Sequence, residues 1–219
     1  MDVDLRLYAL VDPAVAGGRP LADLASLIAG SATLVQLRDK HGSTRAMVEE
    51  ARALRGVLKP AGVPLLINDR VDVALAAEAD GVHIGQDDMA VPDARLLLGR
   101  TAIIGLSLSS VEQAQAAPLE LLDYVGIGAV YATGSKADAS APIGIAGLRA
   151  IAQAVRARKP GFPICAISGI NASNAGETIE AGADGVAVIS ALSRAADPAQ
   201  AARDLRVVVD AALARRGKS

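Results

Sequence analysis

Short apolar runs rich in β-branched residues recur eight times along the chain. These runs are apolar at consecutive positions rather than at alternate ones, which is typical of strands that are buried on both faces of a parallel sheet. The pattern predicts strands at 5–11, 33–37, 64–67, 81–84, 102–106, 124–127, 163–167 and 185–189.

Amphipathic stretches with helical spacing separate the predicted strands. In the stretch 44–58, Met47, Ala51, Leu54 and Leu58 share one helical face, and 148–158 is a second such stretch. Prolines at 60 and 160 are expected to end the helices before them. Capping residues are predicted before the second, fifth and seventh helices, at Ser43 with Thr44, Ser109 with Ser110, and Asn171 with Ser173.

The alternation of strand and helix predicts a single (β/α)8 TIM barrel that spans residues 1–219, with its active site at the C-terminal rim of the strands. An Asp returns at three turns from helix into strand, at Asp80, Asp123 and Asp184, which indicates a repeated unit. A doubly wound open sheet is the alternative, but no G-x-G-x-x-G follows the first strand.

Composition narrows the classes of partner. The chain has 22 basic and 24 acidic residues, three Tyr, one Phe and no Trp, so neither a nucleic-acid surface nor a base-stacking platform is expected. Charged residues or Gly interrupt every apolar run before about 18 residues, so no membrane span is expected. Without a secretory signal, and with Cys165 alone in a strand, the chain is expected to be cytoplasmic. Homo-oligomerisation stays open.

Polar side chains follow three of the predicted strands. Gln36, Arg38 and Lys40 alternate, so they would leave one strand end on the same side and grip an anion. Asp69 and Asp88 follow neighbouring strands, and one carboxylate from each could hold Mg²⁺ together with substrate phosphate oxygens. The alternatives are ion pairs between the two cations and Asp39, a helix cap at Asp69 and a solvated turn at Asp87–Asp88.

Three loops at the same rim carry residues that suit a second anion. The segment 131–142 is long, small and polar, and Thr133, Ser135 and Lys136 are residue types that bind phosphate. The turn at 168–171 contains Gly169, and Ile189 with Ser190 follows the last strand, where barrels often bind phosphate through backbone N–H groups. Two anion sites on one rim predict two phosphorylated small-molecule substrates.

These motifs make the chain resemble the thiamine phosphate synthase family, from Tyr8-Ala9-Leu10 to Ala183-Asp184-Gly185-Val186-Ala187-Val188-Ile189-Ser190. The resemblance implies a Mg²⁺-dependent barrel that joins a hydroxymethylpyrimidine diphosphate to thiazole phosphate by a dissociative mechanism and releases pyrophosphate. It implies that Asp69 and Asp88 hold Mg²⁺ and that Arg38, Lys40, Lys136 and Ser107 are catalytic. It also implies two sets of binding residues: Gln36, Leu37, Arg38, Asp39, Lys40, Asn68, Ser107 and Lys136 for the pyrimidine diphosphate, and Thr133, Gly134, Ser135, Gly169, Ile189 and Ser190 for the thiazole phosphate.

Four positions depart from the commonest pattern of the family. Asp39 stands where Glu is usual, Ala132 and Ser135 replace a Pro and a Thr, and Ser168 replaces a Gly. The rival functions are a thiazole tautomerase, which would not need the complete cation and metal set, and a non-catalytic barrel that binds a phosphorylated ligand. The two histidines, His41 and His83, receive no chemical role from the sequence.

Overall fold

A computed structural model describes residues 3–133 and 141–217 of the chain. Within these residues eight parallel strands pair in chain order, and the last pairs with the first, so the sheet closes into a barrel. The strands are β1 Leu7–Val11, β2 Leu34–Leu37, β3 Leu65–Asn68, β4 Gly81–Ile84, β5 Ile103–Leu108, β6 Tyr124–Ile127, β7 Ile164–Ile167 and β8 Gly185–Val188.

Helices cover the outside of the barrel and connect consecutive strands. The described helices are α1 Leu21–Ile28, α2 Thr44–Leu58, α3 Val71–Ala77, α4 Val91–Leu98, α5 Val111–Ala116, α6 Gly144–Arg158, α7 Ala175–Glu180, α8 Ser190–Ser193 and α9 Pro198–Arg216. Every strand therefore ends at the same rim, because each helix returns the chain to the opposite end of the barrel. None of the helices in the described ranges is both long and apolar enough to cross a membrane.

The predicted (β/α)8 barrel is confirmed, and the strand boundaries agree with the apolar runs to within two residues. Two of the predicted caps are also confirmed: the hydroxyl oxygen of Ser43 accepts from the N–H of Ala46 at 3.3 Å, and that of Ser110 accepts from Gln113 at 3.2 Å. The predicted cap of the seventh helix is wrong. Asn171 instead accepts from the backbone of Ser173 in a turn, and α7 begins four residues after Asn171.

Two apolar layers stabilise the barrel. The larger one lies between strands and helices, and it includes the predicted face of α2, whose Met47, Ala51, Leu54 and Leu58 are all buried. The smaller one fills the barrel interior and contains the fully buried Tyr8, Tyr124 and Cys165. Cys165 therefore packs as a core residue, as predicted, and burial raises the pKa of its thiol well above the usual value.

The three repeated aspartates have the same structural role at the N-terminal ends of the strands. Each carboxylate accepts from the backbone N–H of the preceding strand: Asp80 from Leu65 at 2.8 Å, Asp123 from Ile104 at 2.8 Å, and Asp184 from Ile164 at 2.9 Å. These N–H groups lie near the starts of their strands, where the hydrogen bonds between strands do not satisfy every backbone N–H group. The recurring Asp thus marks a structural repeat far from the rim that carries the polar side chains.

Candidate active site

Arg38 lies at the end of β2 and forms a buried ion pair. Its Nη1 is 2.5 Å from Oδ2 of Asp12, which follows β1, and both side chains are less than a tenth exposed. Asp12 also accepts from the backbone N–H of Ala14 at 2.9 Å, so the carboxylate is held in the turn after β1. A buried pair of this kind orients the guanidinium strictly, because either charge alone would be costly at that depth.

Lys40, two residues further along, turns to the other neighbouring strand. Its Nζ lies 2.6 Å from Oδ2 of Asp69, which follows β3. The ion-pair partners of the two cations are therefore Asp12 and Asp69, whereas Asp39 accepts from the backbone N–H groups of His41 and Gly42 in the turn after β2. Arg38 and Lys40 therefore diverge, the first toward the residue after β1 and the second toward the residue after β3.

Asp69 and Asp88 lie close enough for their charges to interact. Burial raises the pKa of Asp69, the Lys40 ammonium lowers it, and the negative charge of Asp88 raises it again, with a net upward shift. Asp88 is also tied to its own loop, because its Oδ2 accepts from the N–H of Gly85 at 2.7 Å. The helix that follows Asp69 has no side-chain cap, so the alternative role of Asp69 as a helix cap is excluded.

This donor set fits a magnesium ion. Mg²⁺ usually takes one or two carboxylates and completes its shell with water and phosphate oxygens, and a cation would relieve the repulsion between Asp69 and Asp88. No group of three or more His, Cys, Asp or Glu side chains in the described part of the chain has the spacing of a fully protein-ligated metal site. The residues therefore suit a metal that is shared with a phosphorylated ligand.

Arg38, Lys40, Asp69 and Asp88 together form a charged cluster at the rim. A pocket opens beside this charged cluster, on the β7–β8–β1 side of the rim. The space between its lining atoms amounts to about 550 Å³, a volume that includes open solvent. Its floor is formed by interior barrel residues, and its wall by the loops after β6, β7 and β8. The lining residues are Tyr8, Leu10, Gln36, His83, Thr133, Ile167, Ser168, Gly169, Ile170, Ala187, Val188, Ile189 and Ser190.

Two buried amides at this rim have polar atoms without a partner among the described residues. Gln36 donates through Nε2 to the Tyr8 hydroxyl, but its Oε1 is buried and accepts from no described group. Nδ2 of Asn68, at the end of β3, is a buried donor that likewise lacks an acceptor. Burying such groups without partners costs about 1–3 kcal/mol each, so they indicate a ligand that supplies both a donor and an acceptor.

His83 is the residue that sequence reasoning passed over. It lines the pocket from β4, and its Nδ1 and Nε2 lie 2.8 Å from the Tyr124 hydroxyl and from Oγ of Ser107. The sequence contained an indication of this position, because His83 lies between the apolar Val82 and Ile84, three positions before Gln86, the first polar residue after the strand. Asp12 was also missed, although it follows β1 in the same way that Asp69 follows β3.

The remaining predicted site residues fall into three groups. Thr133, Gly169, Ile189 and Ser190 line the pocket, while the side chain of Leu37 is buried in the layer between strands and helices. The third group, Gly134, Ser135 and Lys136, lies outside the described residues.

Ser168 holds a backbone conformation that favours glycine. Its φ is +73°, and its carbonyl accepts from the N–H of Tyr131, which joins the loop after β7 to the segment after β6. A left-handed conformation costs a residue with a Cβ atom about 1–2 kcal/mol. Ser168 therefore carries its side chain on a strained backbone, at a position where glycine would not be strained.

We expect Ser168→Gly to raise the free energy of unfolding by about 0.5–1 kcal/mol, because the relieved strain exceeds the added backbone entropy of glycine. Urea denaturation of both proteins, followed by circular dichroism, measures the difference. Ser173→Gly, in the exposed turn after Asn171, is the matched control and should not stabilise the protein. A lower stability for Ser168→Gly would show that the Ser168 side chain makes a contact worth more than the strain.

The chain matches known proteins over nearly its whole length. Residues 7–192 match the sequence model of a family described as thiamine monophosphate synthase. The thiamine-phosphate synthase of Chloroflexus aurantiacus is 51% identical over 94% of each chain, and that of Moorella thermoacetica is 49% identical over 97% of this chain and 98% of its own. A solved structure of thiamine phosphate pyrophosphorylase from Pyrococcus furiosus superposes with a TM-score of 0.83, at 36% identity over 96% of this chain and 98% of that one.

Proposed function

This chain belongs to the thiamine monophosphate synthase family, and we propose from that premise that it joins a hydroxymethylpyrimidine diphosphate to a thiazole phosphate. The products are thiamine phosphate and pyrophosphate. In this reaction the bond between the pyrimidine methylene carbon and the diphosphate oxygen breaks, and a bond from that carbon to the thiazole nitrogen forms.

The observation that carries the proposal is the pair of buried amide atoms that have no partner in the described part of the chain. An aminopyrimidine has an exocyclic amino group, which donates, beside ring nitrogens, which accept. Oε1 of Gln36 would accept from such a donor, and Nδ2 of Asn68 would donate to such an acceptor. The register supports one shared ligand, because Gln36 and Asn68 lie on adjacent strands and Asn68 is opposite His83 on the next.

The charged cluster fits the diphosphate of the same substrate. Asp69 and Asp88 would hold Mg²⁺, which when bound neutralises charge on the diphosphate and on the pyrophosphate that leaves. The guanidinium of Arg38, held by Asp12, would bind an outer oxygen, and Lys40 would add a positive charge beside Asp69. Lys136 is proposed as a further cation for the same group.

The mechanism that follows needs no nucleophile from the protein. Electron density from the amino group of the pyrimidine expels pyrophosphate, and the thiazole nitrogen attacks the cation that results. The protein stabilises the charge that grows on the leaving group and orients the two rings, and each such interaction typically contributes on the order of 3 kcal/mol. Ser107 would contact the pyrimidine beside His83.

The pocket on the β7–β8 side is proposed to bind the thiazole phosphate. Its apolar lining, including Ile167 and Ile189, suits the thiazole ring, and Gly169 with Ser190 offers backbone N–H groups to the phosphate. Thr133, Gly134 and Ser135 are proposed to cover the same phosphate. The pocket and the charged cluster meet at Gln36, so the ring nitrogen of one substrate would face the methylene carbon of the other.

Purified protein incubated with both substrates and Mg²⁺ tests the proposal. We expect thiamine phosphate and pyrophosphate in equal amounts, and neither product when one substrate or Mg²⁺ is left out. A protein that isomerises a thiazole phosphate without the pyrimidine diphosphate, and that releases no pyrophosphate, would instead be a tautomerase. Binding of either substrate without any turnover would point to a non-catalytic barrel.

A further inference from the structure

Asp12, at the start of the loop after β1, uses its two carboxylate oxygens for two different partners. Oδ2 accepts from Nη1 of Arg38 at 2.5 Å, and Oδ1 accepts from the backbone N–H of Ala14 at 2.9 Å. The backbone carbonyl of Asp12 also accepts from the N–H groups of Val15 and Ala16, at 3.0 and 2.9 Å. The loop therefore fixes the carboxylate, whose side chain is only 3% exposed, in the place where it meets the guanidinium.

Arg38 is held at both ends of its side chain. Its backbone N–H donates to the carbonyl of Val11 at 2.9 Å, which extends the pairing of β1 with β2 beyond Leu37. Its guanidinium is held by Asp12, and within the described ranges this is the one hydrogen bond that the guanidinium makes. Nε and Nη2 are not among the buried atoms that lack a partner there, so they open onto solvent at the rim. The N–H groups on these two nitrogens remain for a ligand.

Lys40, the second cation of the charged cluster, is held in a different way. It pairs with Asp69, which is also a proposed ligand of Mg²⁺, and its side chain is 38% exposed. A metal ion bound to Asp69 would compete with Lys40 for the same carboxylate, because both are cations. Arg38 instead has a carboxylate of its own, outside the proposed metal site. Asp12 thus gives Arg38 a partner that metal binding does not remove.

We propose that Asp12 is a positioning residue, which holds the Arg38 guanidinium apart from the acids of the proposed metal site and directs its remaining N–H groups toward the diphosphate that leaves. This inference rests on the proposed function, in which Arg38 binds the diphosphate. Because the guanidinium is already fixed, it need not reorganise when negative charge grows on the departing oxygen. Without Asp12, a cation at that depth would need another counterion, and the rim offers it the carboxylates of Asp69 and Asp88.

The test is Asp12→Asn in the full-length protein. Asn fills the same space, but it offers one acceptor oxygen in place of two and carries no negative charge, so Arg38 loses its counterion. We expect kcat to fall roughly 10- to 100-fold, and the dissociation constant of pyrophosphate, measured by calorimetry with Mg²⁺ present, to rise by a similar factor. The KM for the thiazole phosphate should stay within about twofold.

A second background shows whether Asp12 acts through Arg38. In Arg38→Met no guanidinium remains to be oriented, so a further Asp12→Asn substitution should lower kcat and pyrophosphate affinity by no more than about twofold. A merely structural role would lower both by the same factor in either background. Asp72→Asn is the matched control, because Asp72 pairs with Arg70 at the same 2.5 Å but is 59% exposed. It should leave kcat and pyrophosphate affinity unchanged.

Unchanged kcat and pyrophosphate affinity in Asp12→Asn would overturn the proposal, and so would an equal loss with and without Arg38. Circular dichroism and the thermal midpoint show whether Asp12→Asn folds. If it does not, Asp12→Glu decides, because it keeps the charge and displaces the carboxylate by one methylene group. We expect kcat to fall roughly tenfold in Asp12→Glu, and a normal kcat would contradict the positioning role.

The two readouts also separate this inference from the proposed function. If the unsubstituted protein forms no thiamine phosphate, the proposed function fails, while the binding of pyrophosphate with Mg²⁺ still measures the effect of Asp12 on Arg38. A protein that binds no pyrophosphate at all would overturn the inference itself.

Discussion

Asp69→Asn is expected to lower kcat by about 10²–10³-fold and to raise the Mg²⁺ concentration needed for half-maximal activity. The substitution removes one of two carboxylates that interact at the rim, and it also removes the partner of Lys40. Folding should be nearly unaffected, because Asn tolerates the left-handed φ of +63° at this position. The substitution also removes the ion pair with Lys40, but this pair contributes little to stability because the Lys40 side chain is about two-fifths exposed.

Pyrophosphate release, measured over a range of Mg²⁺ concentrations, distinguishes weaker metal binding from a loss of folded protein. Asp87→Asn is the matched control, since Asp87 is an exposed acid directly before Asp88 and loses the same charge. We expect Asp87→Asn to keep nearly normal activity and metal dependence. Near-normal turnover in Asp69→Asn, with an unchanged circular dichroism spectrum, would contradict the proposed role of Asp69 in binding Mg²⁺.

Gly185→Ala is expected to destabilise the barrel by at least about 3 kcal/mol. A Cβ atom at this position would lie 1.6 Å from the carbonyl oxygen of Leu5, so the backbone before β1 or the start of β8 would have to move. These two strands close the barrel, and Val186 and Leu7 are partners in their register. A shift at this point therefore disturbs the closure itself rather than a local turn.

Gly56→Ala provides the comparison for the same chemical change. Gly56 lies inside α2, and a Cβ atom there would meet nothing within 4 Å. The added methyl group should raise the free energy of unfolding by about 1 kcal/mol, because Ala is the better helix former. Urea denaturation of the two variants should therefore give opposite signs, and a stable Gly185→Ala would mean that the chain at Leu5 can move at little cost.

The site could be predicted only in part from the sequence, and the ion pairs of β2 illustrate why. The alternation of Gln36, Arg38 and Lys40 predicted polar side chains at the end of a strand, and Arg38 and Lys40 form ion pairs there. It did not identify their partners, because Asp12 and Asp69 lie 26 and 29 positions away in the chain and meet β2 only after the strands pair. His83 was missed for a related reason, since its contacts with Tyr124 and Ser107 cross the barrel interior.

The sequence by itself determined the order of strands and helices, and hence the barrel. Apolar runs and amphipathic stretches depend on which residues lie next to one another in the chain, and the boundaries of all eight described strands follow from them. Tertiary structure alone decided other features: that Arg38 pairs with Asp12, that Ser168 adopts a left-handed φ, and that Tyr124 joins Tyr8 to His83. The physical reason is that local periodicity selects a fold, whereas charge pairing and hydrogen-bond direction depend on distances that exist only once the barrel has closed.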